Sequence, residues 1–371
     1  MQETIMADAL PEGGITLAPT LDYLIISKSQ EGKKASGSLK QLQHPDDRMP
    51  GYRTRTSLWR YDFKERRMQR LTFGNTSVNL SDISNDGKKL LLMTSTMDPS
   101  RKPFRSYSVY VMNAQTAKVD TVIADTAWLA SAKFSPDANQ LLINASTTAF
   151  NNIGLEVKEG QHPNTFDHRL YLHDIATNTT TALLPGFIPS VDSYSWHPTN
   201  GYIYITASEG CDRSIWQLNP KTLEVVKFNM PLSYVSSFTY ASLQKTPTAV
   251  VLGQDGGERA REMFKVTLNA KKINAHRIGE INFDELYKDV AIGTCHDWNF
   301  KSSRGDSIHG FYYLPANFDA SKKYPLIVYY YGGCTPSNKL LEINYPYQVF
   351  ASLGYVVYVV QPSGALGFGQ E

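Results

Sequence analysis

The stretch Tyr324-Pro325-Leu326-Ile327-Val328-Tyr329-Tyr330-Tyr331-Gly332-Gly333 decides how the end of this chain is read. From Leu326 to Tyr331 every position is apolar or aromatic. A run without alternation suits a strand of a parallel sheet, covered on both faces. Gly332-Gly333 then allows a reversal that side chains forbid. Further on, Pro346-Tyr347-Gln348-Val349-Phe350-Ala351-Ser352-Leu353-Gly354 predicts a short helix, with proline near its first turn and glycine just past its end. Tyr355-Val356-Val357-Tyr358-Val359-Val360-Gln361 predicts a second buried strand. Strand, glycine loop, helix and strand make a βαβ unit. One crossover helix cannot cover both faces of such a pair, so an α/β domain begun but not completed by Glu371 is expected.

Upstream, to about residue 290, the chain repeats itself, and a repeat at fixed period is the first signal to seek in such a region. One recurring piece is an apolar residue, a polar turn and a hydrophobic strand. It occurs as Ile83-Ser84-Asn85-Asp86-Gly87 before Lys89-Leu90-Leu91-Leu92-Met93, and as Phe134-Ser135-Pro136-Asp137 before Gln140-Leu141-Leu142-Ile143. It returns as Trp196-His197-Pro198-Thr199-Asn200-Gly201 before Tyr202-Ile203-Tyr204-Ile205, with a weaker copy over 239–252. A second piece, again strand, turn and strand, follows each first one: Ser57-Leu58-Trp59, Ser108-Val109-Tyr110, Arg169-Leu170-Tyr171, Ser214-Ile215-Trp216 and Glu262-Met263-Phe264 open its copies. Two hairpins give four antiparallel strands, and the unit recurs about every 50 residues, as in β-propeller blades. Five blades are expected over 21–281, the first opening with a strand at 21–27. A closed propeller with more blades would need repeats upstream. The predicted domains are therefore 1–292, a β-propeller, and 293–371, the start of an α/β domain.

The length of 371 residues with 42% apolar side chains supports two real cores. A formal net charge of +2, with both signs interspersed, gives no nucleic-acid surface. Twenty-two tyrosines fit a strand-rich chain. No apolar run is long enough to span a bilayer, and Met1-Gln2-Glu3-Thr4-Ile5 does not open a secretory leader. Cys211, Cys295 and Cys334 match neither a disulfide framework nor a zinc spacing. His168 and His173 fall on opposite faces of one strand, and the other histidines are isolated, so neither a metal nor another cofactor is expected. The glycines from Gly364 to Gly369 do not have dinucleotide-loop spacing. Two insertions, 31–56 and 147–167, interrupt the blades, and long loops on a regular scaffold commonly bind ligands or dock domains.

Blades with S-P-D-like turns, then Asp297-Trp298-Asn299-Phe300, Gly310-Phe311-Tyr312-Tyr313-Leu314-Pro315, the run ending Tyr331-Gly332-Gly333-Cys334, and Gln361-Pro362-Ser363-Gly364-Ala365-Leu366-Gly367-Phe368-Gly369, resemble the prolyl oligopeptidase family of serine peptidases. The likeness is nearest to the bacterial dipeptidyl peptidase IV-like and acylaminoacyl-peptidase-like members. It covers essentially the whole chain. It implies a propeller followed by an α/β-hydrolase domain, cleavage of short peptides through an acyl-enzyme, a periplasmic or cytoplasmic location in a bacterium, and an oligomeric state that includes homo-oligomers among the options.

An α/β-hydrolase nucleophile is the serine of G-x-S-x-G, followed by acid and base. No glycine of this chain sits in that pattern. Gly305-Asp306-Ser307-Ile308-His309 has histidine where glycine is needed, and Ser363 lacks a glycine two residues before it. The triad is therefore expected beyond Glu371, leaving these residues inactive alone. The resemblance assigns the hydroxyl of Tyr331 as an oxyanion donor, against its reading as one more buried strand tyrosine, with Gly332 and Gly333 shaping the loop. Relatives of dipeptidyl peptidase IV hold the substrate amine with adjacent glutamates upstream of a W-S-P-N-G turn. No such pair precedes Phe134 or Trp196 here. Glu156 and Glu159 in the second insertion are the candidate substitutes, beside a plain solvated-loop reading, so exopeptidase action on X-Pro ends is not expected from the sequence. A propeller serving only as a binding or scaffold module is the alternative function, and uncovered apolar strands at 326–331 and 355–360 argue against it.

Overall fold

The computed structural model describes residues 12–33, 37–241, 247–268, 274–280, 282–341 and 345–371. The chain packs as two compact units, one comprising residues up to Ala145 with Tyr171–Thr181, the other Ser146–Leu170 with Ala182–Glu371.

Five sets of four antiparallel strands follow one another in chain order, as the repeats predict; the first three sets are separate sheets, and the fourth and fifth are joined into one eight-stranded sheet by a single parallel pairing of Arg213 with Tyr234. They are β1 to β4 (Gly14–Leu17, Tyr23–Gln30, Arg55–Asp62, Arg67–Arg70) and β5 to β8 (Asn79–Ile83, Lys89–Met97, Arg105–Asn113, Val119–Ala127). Then come β9 to β12 (Leu129–Phe134, Gln140–Ser146, His168–Asp174, Thr179–Ala182) and β13 to β16 (Ser190–Trp196, Ile203–Glu209, Asp212–Leu218, Val225–Lys227). The fifth is β17 to β20 (Tyr234–Tyr240, Thr248–Gln254, Glu262–Thr267, Ala275–Glu280). The expected opening of the first sheet is corrected: residues 23–30 form its second strand, and β1 precedes it, Ile15 pairing with Ile26. A four-residue strand with exposed side chains leaves little periodic signal.

The recurring turn phrase has a physical cause. Ser84 Oγ donates to Asp86 at 2.7 Å and accepts from the Lys89 amide at 2.9 Å, while Gly87 takes a left-handed φ of 68°. Ser135, Asp137 and Gln140 repeat this at 2.6 and 3.0 Å. In the third copy His197 replaces the serine, its Nδ1 accepting from the Thr199 amide at 3.2 Å. In the first two copies one serine closes the reversal and fixes the register of the strand behind it; in the third, Asn200 Oδ1 takes the strand-side amide, accepting from Tyr202 N at 3.1 Å. Between these turns the strands bury Tyr23, Ile25, Leu58, Leu90 and Met112 in the first unit, and Tyr204, Ile215, Phe228, Val251 and Phe264 in the second.

After the fifth sheet the pattern changes, and residue 293 lies inside the second unit. Strands β21 (Thr294–Asp297), β24 (Gly310–Leu314), β25 (Leu326–Tyr330) and β26 (Val356–Val360) form a mixed sheet ordered β21-β24-β26-β25, while β22 (Phe300–Lys301) and β23 (Ser307–Ile308) pair as a hairpin. β25 and β26 run parallel, Ile327 opposite Val357, joined through the helix Tyr347–Ser352. Gly354, two residues past that helix, has a φ of 91°, the left-handed position expected there. Phe311, Tyr313, Tyr347, Ala351, Val357 and Val359 are the buried core of one face, with Ile327 and Tyr329 packed on it. The other face of β25 is bare: Leu326 is 59% exposed, Val328 52% and Tyr330 67%. The unbroken apolar run is thus covered on one side only.

Candidate functional site at the ends of the parallel strands

The carboxyl ends of β25 and β26 open into two loops, 331–337 and 361–371. In open α/β sheets ligands gather at this end of the strands. The loops are tied together by Gln361, which is almost fully buried. Its amide donates to Ser337 O at 2.6 Å and accepts from Ser337 N at 2.9 Å, as a neighbouring strand would. The Leu366 amide donates to Cys334 O at 2.8 Å.

Tyr331 is the first residue of the first loop and is 48% exposed. Gly333 lies under its ring, and the space beside Gly332 is open. Tyr331 differs in this from the neighbour two before it, since Tyr329 packs its ring on Tyr345 and Tyr347 at centroid distances of 4.8 and 5.4 Å. A half-exposed phenol at a strand end can reach an oxyanion; one packed among rings cannot.

The second loop reaches the insertion at 147–167. Gln370 Nε2 donates to Gly154 O at 2.9 Å, and its Oε1 accepts from the Glu156 amide at 2.8 Å. The Asn164 amide donates to Gln370 O at 2.6 Å, and Asn164 Nδ2 to Gly364 O at 2.7 Å. Glu156 Oε1 in turn accepts from the Gly186 amide at 2.7 Å. The structure thus clamps the loop carrying Glu156 and Glu159 onto the loop after β26. Both glutamates are exposed, and Glu159 makes no hydrogen bond or ion pair among the described residues.

The turn between β14 and β15 packs on the same loops. The Gly210 amide donates to Gly367 O at 2.8 Å, and Asn338 Nδ2 to Cys211 O at 3.0 Å. Lys339, mostly buried, bridges Asp212 at 3.2 Å and Asp297 at 3.0 Å. Burial depresses its ammonium, but the two carboxylates hold it above its usual value. The Cys211 and Cys295 thiols are pushed up to about 11 by burial, which makes them inert rather than nucleophilic.

A cleft of about 470 Å³ is lined by Asp306, Ser307, His309, Gln361, Ser363 and Phe368. Sequence reasoning rejects both serines as nucleophiles, although the fold brings them to one cleft with a histidine. Ser307 Oγ accepts from Lys301 Nζ at 2.7 Å, and the His309 ring lies on Phe368 at 4.8 Å. Among the described residues neither serine is hydrogen-bonded to His309. No group of three metal-ligating side chains occurs among the described residues.

Gln361 and Gln370 escape a sequence reading, and so does Gln348, whose buried amide bridges Gly257 O and both main-chain groups of Gly293. Nothing local marks them, because each bonds to main chain far away in sequence.

Comparison with known proteins adds the relatives. No family model matches the chain. It is 26% identical over 206 residues to dipeptidyl-peptidase 5 of Porphyromonas gingivalis, a match over 55% of this chain and 29% of that peptidase. In fold it is similar to Pyrococcus horikoshii acylaminoacyl peptidase, with a TM-score of 0.67 at 14% identity, over 96% of this chain and 52% of that one. Porphyromonas gingivalis dipeptidyl peptidase 4 superposes with a TM-score of 0.58 at 11% identity, over 96% of this chain and 65% of that one. The chain thus spans about half the length of that acylaminoacyl peptidase. Propeller-type blades leading into a parallel pair define the class, and the resemblance to the prolyl oligopeptidase family carried by the motifs is borne out by these relatives.

Proposed function

We propose that the protein is a serine peptidase of the prolyl oligopeptidase family, acting on short peptides through an acyl-enzyme. Residues 1–292 would form its propeller, residues 293–371 the start of its α/β-hydrolase domain, and residues outside the 371 the nucleophile, acid and base. In acylation a serine hydroxyl adds to the scissile carbonyl and passes its proton to the base, and the carbonyl oxygen becomes an oxyanion. The Tyr331 hydroxyl donates to that oxygen as the charge develops. Gly332 and Gly333 leave the space in which the hydroxyl and the oxyanion meet. The single observation that carries this reading is the half-exposed Tyr331 side chain at the carboxyl end of β25, beside a loop tied to the end of β26. Glu156 and Glu159 are proposed as contacts for the substrate's free amine, Glu159 with its whole carboxylate and Glu156 with the oxygen that Gly186 leaves free. A name such as dipeptidyl-peptidase for the matched relative supports a substrate with that amine close to the scissile bond.

A fluorophosphonate probe provides the test. The complete gene product should be labelled once, on a serine outside residues 1–371, whereas a polypeptide of residues 1–371 should stay unlabelled. Labelling of Ser307 or Ser363 would overturn the assignment.

A further inference from the structure

The insertion at 31–56 and the first sheet enclose a pocket of about 270 Å³ in the first unit. Its walls carry Lys33, Arg53, Arg55 and Arg70, with Glu31 as the only acidic residue. Arg53 is neutralised by Asp47, which is fully buried. The guanidinium reaches both carboxylate oxygens, at 2.9 Å from Nε and 2.5 Å from Nη2, and holds that carboxyl well below the usual range. Lys40 closes the pair from the other side. This ion pair fixes the insertion as a wall, and a side chain at Gly32 would overlap Arg53.

The remaining cations lack carboxylate partners among the described residues. Arg55 is held by main-chain oxygens, with Nη1 donating to Tyr52 O at 2.6 Å and Thr54 O at 2.9 Å and Nε donating to Asn75 O. Its Nη2 makes no hydrogen bond among the described residues. Arg70 donates through Nε to Thr72 O at 2.8 Å and lies 5.7 Å from the Trp59 ring and 5.0 Å from that of Phe73, with both terminal nitrogens unbonded among the described residues. Lys33 is exposed at the mouth, as is Phe73 at 72%. Two guanidiniums are thus oriented in advance in this pocket: among the described residues Arg55 keeps Nη2 unspent, and Arg70 keeps both terminal nitrogens as a fork. Such a fork matches a planar carboxylate, and ordering the arginines beforehand removes much of the entropy cost of binding it.

We propose that this pocket binds a carboxylate presented by a peptide, with Arg55 and Arg70 contacting its oxygens, Lys33 supplying further charge and Phe73 packing on the adjacent apolar portion. The site is remote in kind from the hydrolytic chemistry and does not depend on it.

Titration calorimetry of the protein with glutarate, with a capped peptide bearing one glutamate, and with inorganic phosphate tests the proposal. The two carboxylates are expected to bind more tightly than phosphate. Arg70→Gln and Lys33→Gln are each expected to weaken them by about tenfold or more. Arg70→Lys, which keeps the charge and loses the fork, should also weaken them. Lys33 is exposed and its replacement leaves the fold intact, so its result stands even if the arginine variants unfold. No heat with either carboxylate, tighter binding of phosphate, or unchanged affinity in Lys33→Gln would each overturn the proposal.

Discussion

Gly333 lies against the ring of Tyr331: a β-carbon at position 333 would stand 2.5 Å from Tyr331 Cε1 and 3.2 Å from its hydroxyl oxygen. Only hydrogen fits there, so the glycine determines where the phenol rests. Gly333→Ala must push the ring away, because the overlap is with the far end of a movable side chain rather than with main chain. In the complete gene product kcat on a short peptide ester is expected to fall about 10- to 100-fold, with KM and thermal stability nearly unchanged. A variant with undiminished kcat would show that the ring position is immaterial.

Gln370 holds the second insertion through both ends of its amide. Gln370→Leu keeps the volume and strands Gly154 O and the Glu156 amide, at a cost of about 1 kcal/mol for each lost bond. Hydrogen exchange at the Glu156 amide should accelerate about tenfold or more, while amides in β14 and β18 keep their protection. Unaltered exchange at Glu156 would mean that the loop is held by other contacts.

Asp167 and Arg169 are both buried, with Arg169 Nη1 donating to Asp167 Oδ1 at 2.8 Å. Burial pushes the Asp167 carboxyl from 3.8 up to about 6, the Arg169 charge working against it. Between those values the folded chain holds a proton that the unfolded chain has released. The stabilisation is therefore complete below about pH 4 and is lost as pH rises through 6, by roughly 3 kcal/mol at most. Urea unfolding between pH 4.5 and 7.5 should show this decline in the native protein and a flatter profile for Asp167→Asn, which stays neutral throughout. Identical slopes would rule out Asp167 as the titrating group.

The blade pattern was legible because each turn is a local device: Ser84 with Asp86, and Ser135 with Asp137, close their reversals within a few residues and so leave a phrase in the sequence. The βαβ unit was legible for a similar reason, through Pro346, Gly354 and two apolar runs. β1 was not, since its side chains are exposed and its identity comes from pairing with β2. The clamp by Gln370 was equally hidden. Its partners lie more than 200 residues away, and nothing in a lone glutamine announces two main-chain bonds across the fold. The one-sided cover of β25 is likewise a property of packing, which an unbroken apolar run does not disclose.

The most direct test is the turnover of Tyr331→Phe in the complete gene product, measured on an activated short-peptide substrate. Loss of one oxyanion donor predicts a fall in kcat of about 10²-fold or more, with KM little changed and the fluorophosphonate still reacting at the same serine. A kcat equal to that of the native protein would contradict the assignment of Tyr331 and, with it, the reading of the β25 loop as part of a hydrolytic site.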